Sequence, residues 1–109
     1  MELNKPQRRA LLAMCCVVAR SDGEVSTAEY ESLLYLLTRM AHGAVGFSEL
    51  EEWMRSGPPA IDARLPEECI KMFLREAIAL ARADGKVADV ELATIKDLVQ
   101  RYFDAPTSA

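Results

Sequence analysis

Arg20-Ser21-Asp22-Gly23-Glu24-Val25-Ser26-Thr27-Ala28-Glu29 returns 62 positions later as Arg82-Ala83-Asp84-Gly85-Lys86-Val87-Ala88-Asp89-Val90-Glu91. The same register pairs Leu12 with Leu74, Ala19 with Ala81, Leu36 with Leu98 and Arg39 with Arg101. Each copy follows an apolar run and precedes an amphipathic one, so the chain reads as a duplicated helix–turn–helix unit. The pseudo-repeats cover 10–40 and 72–103, joined by a connector over 41–66. The predicted fold is all-α: one domain over 1–109, a helical bundle of two hairpins plus a short connecting helix.

Working outward, Asn4 can cap the first helix, with Pro6 tolerated in its first turn. Every residue from Ala10 to Ala19 is apolar, which on a helix means burial on nearly all sides. Asp22-Gly23 stops this helix, because glycine reaches the left-handed conformation at little cost. Ser26-Thr27-Ala28-Glu29 is a capping-box pattern that starts the second helix, whose Leu33, Leu36, Leu37 and Met40 share one face. That helix ends near His42-Gly43, where His42 suits the negative end of the helix dipole.

In the connector, Ser48-Glu49-Leu50-Glu51 predicts another capping box and a short third helix, closed by Gly57-Pro58-Pro59. Trp53 and Met54 sit on it, either packed over one end of the bundle or exposed as an anchor for a protein partner. Pro66 suits the first turn of the fourth helix, which carries an apolar stripe of Ile70, Phe73, Leu74, Ala77, Ile78 and Ala81 and ends at Asp84-Gly85. The fifth helix starts at Ala88 or Asp89, with Leu92, Ile95, Leu98, Val99 and Tyr102 as its buried face, and the last six residues fray.

A chain of 109 residues with a formal charge of −4 is large enough for a modest core and poorly suited to nucleic acid. Lys5, Arg8 and Arg9 form the one basic cluster, expected as a solvated face. Three cysteines, Cys15, Cys16 and Cys69, lack framework spacing and point to a reducing compartment. Cys15 and Cys16 read as small hydrophobes of a buried helix, ill placed to bridge each other or share a metal. Lys5, Arg8 and Arg9 before the run Ala10 to Ala19 imitate a secretory signal, but residues 73–81 hold the same place before the second Asp-Gly. The expected location is therefore cytoplasmic, and no run is long enough to span a membrane.

Asp-Gly turns have a structural use, since the Asp side chain bonds the local backbone. The spacing Asp-Gly-x-Val-x-x-x-Glu also matches the second half of an EF-hand loop. Its first and third ligand positions would fall on Val18 and Arg20, and on Leu80 and Arg82, so a full EF-hand is excluded. If the hairpins pack with approximate two-fold symmetry, Asp22, Glu29, Asp84 and Glu91 converge, with Glu24 and Asp89 nearby. Such carboxylates suit Ca²⁺, Mg²⁺ or Mn²⁺ better than zinc.

The doubled pattern of apolar helix, Ala-x-x-Asp-Gly-x-Val, capping Glu and Leu-rich helix resembles the TerB-like tellurite-resistance family over Ala10 to Met40 and Phe73 to Phe103. The resemblance implies an all-α, non-enzymatic domain linked to tellurite resistance and stress responses, found alone or fused to modules such as J-domain co-chaperones. It also implies an acidic, metal-binding site that maps onto Asp22, Glu29, Asp84 and Glu91. This chain departs from the acidic pattern at Lys86, where the first copy has Glu24, and at Ala88, which cannot cap as Ser26 does.

No catalytic constellation accompanies these features: His42 has no evident Ser or Cys partner, and there is no zincin pattern or Gly-rich phosphate loop. The expected function is a small cytoplasmic binding domain holding a divalent cation at its paired acidic turns. The alternative is a metal-independent protein-interaction module using Trp53, Met54 or a helical face.

Overall fold

Asn4 begins the first helix as expected: its Oδ1 accepts from the Gln7 amide at 2.9 Å, and its own amide donates to Gln7 Oε1 at 3.0 Å. The computed structural model describes residues 3–23, 25–83 and 89–104. Within them the chain forms α1 (Lys5–Arg20), α2 (Thr27–Met40), α3 (Phe47–Ser56), α4 (Ile70–Ala81) and α5 (Asp89–Tyr102). The fold is a single all-α bundle, as the repeat predicts. Its radius of gyration of 13.0 Å is that of a folded chain of about this length.

Helix α1 is the central post. All of Ala10 to Ala19 is buried except the half-buried Val17, and the helix packs against α2, α3, α4 and α5. Removing each of its large apolar side chains from water contributes about 1.5–3 kcal/mol. A helix so uniformly apolar has no stable place outside such a ring of partners. Beyond it Gly23, at φ 104°, donates its amide to the Arg20 carbonyl at 3.0 Å and turns the chain toward α2.

Arg8 and Arg9 correct the expectation of a solvated basic face. Arg8 Nη1 donates to the His42 carbonyl at 3.0 Å, and Arg9 Nη1 donates to the Ala44 carbonyl at 2.8 Å. Arg9 also pairs with Glu49 through both terminal nitrogens, at 2.9 and 2.7 Å, and lies over the Trp53 ring at 5.4 Å. The two guanidiniums satisfy backbone carbonyls just beyond α2 and hold α3 against α1.

Helix α3 starts two residues earlier than its expected cap at Ser48. Gly46 is the N-cap, so Glu49 rather than Glu51 is the acid at the third helical position. The bidentate pull of Arg9 on Glu49 selects that frame. Leu50 and Trp53 are buried on this helix, while Met54 is half-buried.

Before α4 the chain makes a 3₁₀ turn over Glu67–Cys69, so the regular helix begins at Ile70 rather than beside Pro66. Phe73, Ala77 and Ala81 are buried as expected, joined by Leu80 and Glu76. Leu65 reaches the far end of α5, where its amide donates to the Tyr102 carbonyl and its carbonyl accepts from the Asp104 amide, both at 2.9 Å. Phe103 then packs on Phe73 with ring centroids 5.2 Å apart.

Helix α5 buries Ile95 and Leu98 as expected, but Leu92 is 42% exposed. The buried stripe runs through positions 91, 95 and 98, and Leu92 lies about 100° off it. The expected turn at Asp84-Gly85 and most of the expected frayed tail lie outside the described residues. No helix among the described residues is long and apolar enough to cross a membrane.

Candidate functional site

The site begins with how α2 starts. Ser26 has an extended backbone (φ −71°, ψ 163°) and its Oγ accepts from the Glu29 amide at 3.1 Å. In return the Ser26 amide donates to Glu29 Oε1 at 2.9 Å. This is the capping box read from the sequence. An ordinary capping glutamate sits at the surface; Glu29 is only 1% exposed.

Its burial follows from the helical period. Glu29 stands four residues before Leu33 and seven before Leu36, on the face that α2 turns to the core. Glu91 stands four before Ile95 and seven before Leu98 in α5, and is 2% exposed. The duplication thus places one glutamate at the head of each inner stripe. The packing brings their carboxyls within hydrogen-bonding reach of each other.

Two carboxylates cannot hydrogen-bond without a proton, since neither has a donor. Glu29 Oε2 is buried and takes no hydrogen bond from the described residues. Burial pushes the Glu29 carboxyl up to about 7; contacts with Ser26 oppose this, and the neighbouring Glu91 carboxyl adds to it. The arrangement holds excess negative charge in a dry place unless a proton or a cation enters. The two carboxyl groups, one of them with an orphaned buried oxygen, are donors of the kind a hard divalent ion takes, and the pair lacks the sulfur and imidazole that favour zinc.

Of the expected metal set, the structure brings Glu29 and Glu91 together. Asp22 is exposed, in the turn after α1, and among the described residues no cluster of three or more His, Cys, Asp or Glu is arranged to hold a metal. Asp22 is thus not grouped with the glutamates; the short turn keeps it at the surface. Asp89, expected nearby, is also exposed. Asp84 and Glu24 lie outside the described residues, as do Lys86 and Ala88.

Trp53 is 5% exposed beneath Arg9, so its indole packs over the bundle and offers little surface to a partner. Met54 faces a cavity shared with the first turn. Cys15, Cys16 and Cys69 are buried, and among the described residues none is joined in a disulfide. Burial raises the Cys15 thiol to about 12 and the Cys16 thiol to about 11, which keeps both protonated and poor nucleophiles at neutral pH. Sequence reasoning did not find Glu76, 8% exposed on α4. Its Oε2 lies 3.2 Å from Arg39 Nη1 and its Oε1 lies 3.4 Å from Arg75 Nε. An acid three residues after Phe73 on the same apolar face was the available signal.

With this geometry in hand, comparison with family models, with curated proteins and with solved structures finds no match to this chain.

Proposed function

We propose that this chain is a small non-enzymatic binding domain that holds a hard divalent cation, Ca²⁺, Mg²⁺ or Mn²⁺, between its two repeats. Glu29 and Glu91 are the protein ligands. The observation that carries the reading is Glu29 Oε2, buried with no donor among the described residues and set against a second buried carboxyl. A cation there neutralises two charges that the fold removes from water, so occupancy and stability are linked. The likeness of the doubled motif to TerB-like proteins supports this chemistry and a role in stress responses.

The test is an amide NMR titration of metal-free protein at pH 8 with Ca²⁺, Mg²⁺, Mn²⁺ and Zn²⁺. The reading requires saturable changes at the Ser26 and Glu29 amides with a hard ion, lost in Glu29→Gln. Unmoved amides at millimolar concentrations of every ion sink it. Asp22→Asn decides whether the exposed turn acid joins the site: a tenfold weaker affinity puts it among the ligands, and an unchanged one leaves the two glutamates alone.

One observation favours a second reading, a metal-independent protein-interaction module. Tyr35 and Phe47 are 60% and 55% exposed, more apolar surface than Trp53 presents. That reading expects affinity for a protein partner to fall in Tyr35→Ala or Phe47→Ala and to ignore Glu29→Gln.

A further inference from the structure

Arg20 is the residue of the repeated motif that neither the capping box nor the carboxyl pair uses. It closes α1, and its guanidinium lies against the backbone of Gly57. A Cβ at position 57 would stand 2.7 Å from Arg20 Nη1. Gly57 therefore serves twice. Its φ of 97° lets the chain leave α3, and its bare Cα makes room for the arginine.

The other arginines show what is unusual here. Arg9, Arg39, Arg55, Arg64, Arg75 and Arg101 each pair with a carboxylate, Arg8 takes the His42 carbonyl, and Arg82 is exposed to water. Arg20 is half-buried, yet among the described residues none offers it an ion pair or a hydrogen-bond acceptor. Among the described residues this leaves a seated, partly desolvated guanidinium with its fork of donors unfilled.

It lines a cavity of about 530 Å³ whose walls include Val25, Tyr30, Glu51, Met54 and Arg55. The lining combines two guanidiniums and a phenol with the aliphatic Val25 and the adaptable Met54 thioether. Glu51 and the formal charge of −4 work against polyphosphates and nucleic acid. A single carboxylate asks for one guanidinium fork, and Arg20 supplies it.

We propose that this cavity binds a monocarboxylate with a short aliphatic body, its carboxylate on the Arg20 guanidinium and its hydrocarbon on Val25 and Met54. A free aliphatic acid and the C-terminus of a peptide present the same chemistry. The site is separate from the cation reading and does not depend on it.

The experiment follows the amides of Gly23, Val25 and Met54 by NMR, with chelator present so that cations play no part. The probes are 4-methylpentanoate, its primary amide, and N-acetyl-Gly-Leu with a free C-terminus. The acid saturates these shifts, the amide binds at least tenfold more weakly, and Arg20→Gln abolishes the difference. Arg82→Gln, the exposed counterpart in the second repeat, leaves the affinity unchanged. Should Arg20→Gln not fold, Arg20→Lys retains the charge without the fork and weakens the acid severalfold, and Met54→Ala weakens it about threefold. Tighter binding of the free acid than of N-acetyl-Gly-Leu identifies a small-molecule site, and the reverse order identifies a chain terminus. Equal binding of acid and amide, or an acid affinity unmoved by any Arg20 variant, overturns the proposal.

Discussion

Glu76 and Glu29 are both acids that the fold takes out of water, and they are treated in opposite ways. Glu76 meets two guanidiniums, Arg39 at 3.2 Å and Arg75 at 3.4 Å. Glu29 meets the Ser26 amide on one oxygen and a second buried acid near the other. The charge of Glu76 is answered from within the chain, so it reads as structure. Among the described residues no cation answers that of Glu29, and this difference is the ground for the proposed assignment of function to one and not to the other.

The largest effect expected from this contrast is a gain. Glu29→Gln keeps an acceptor for the Ser26 amide and removes a buried charge. Cation-free protein at pH 8 should therefore be stabilised by up to about 3 kcal/mol, at about 1.4 kcal/mol per unit of pKa displacement. The sign also fixes the pH dependence. The Glu29 carboxyl titrates near 7 in the fold against 4.5 in a free chain. Folding therefore favours its protonated form; that stabilisation is complete below about 4.5 and is lost as pH rises through 7. Urea unfolding at pH 5 and pH 8 checks this: the parent should lose stability between the two relative to Glu29→Gln. A variant weaker than the parent at pH 8 would mean that the carboxylate is already compensated.

A divalent cation at a hundred times its Kd should add about 2.7 kcal/mol at pH 8. It should add much less at pH 5, where a proton holds the same place, and nothing to Glu29→Gln. Thermal melts with and without the ion read all three. Glu76→Gln should do the opposite of Glu29→Gln. It weakens two charge-assisted contacts and lowers stability by about 1–2 kcal/mol, equally with or without cation, because both arginines can turn back to water. Equal and like-signed effects of the two variants would erase the comparison.

The repeat, the five helices and the buried post α1 were legible because each depends on neighbours along the chain: apolar period, capping residue and turn glycine. The capping box at Ser26 and Glu29 was legible for the same reason. Its burial was not read, although the signal was present: the stripe through Leu33 and Leu36, extended back one turn, lands on Glu29, and the stripe through Ile95 and Leu98 lands on Glu91. Setting the buried face one residue off, on Leu92, hid the burial of the second acid. Long-range ties such as Arg9 to Glu49, and Leu65 to Tyr102 and Asp104, join segments about 40 residues apart. No local pattern announces them. The frame of α3 was misread for that reason, since the partner that selects Glu49 over Glu51 lies on another helix.

The smallest predicted effect tests whether burial, rather than charge, produces the contrast. Arg64 Nε donates to Asp104 Oδ1 at 3.0 Å, and its terminal nitrogens donate to the carbonyls of Arg101 and Phe103 at 3.1 Å each. The side chains of Arg64 and Asp104 are 59% and 61% exposed. Water already solvates this pair, so Asp104→Asn should move stability by less than about 0.5 kcal/mol, and less still at high salt. Arg64→Ala should cost about 1 kcal/mol, because two carbonyls at the end of α5 lose their donor whatever the charge does. If Asp104→Asn instead matched Glu76→Gln, the net charge of −4 would be setting the stability of the whole chain. Glu29 would then be one acid among 17. A null result at Asp104 leaves the buried pair as the place where removing a charge matters.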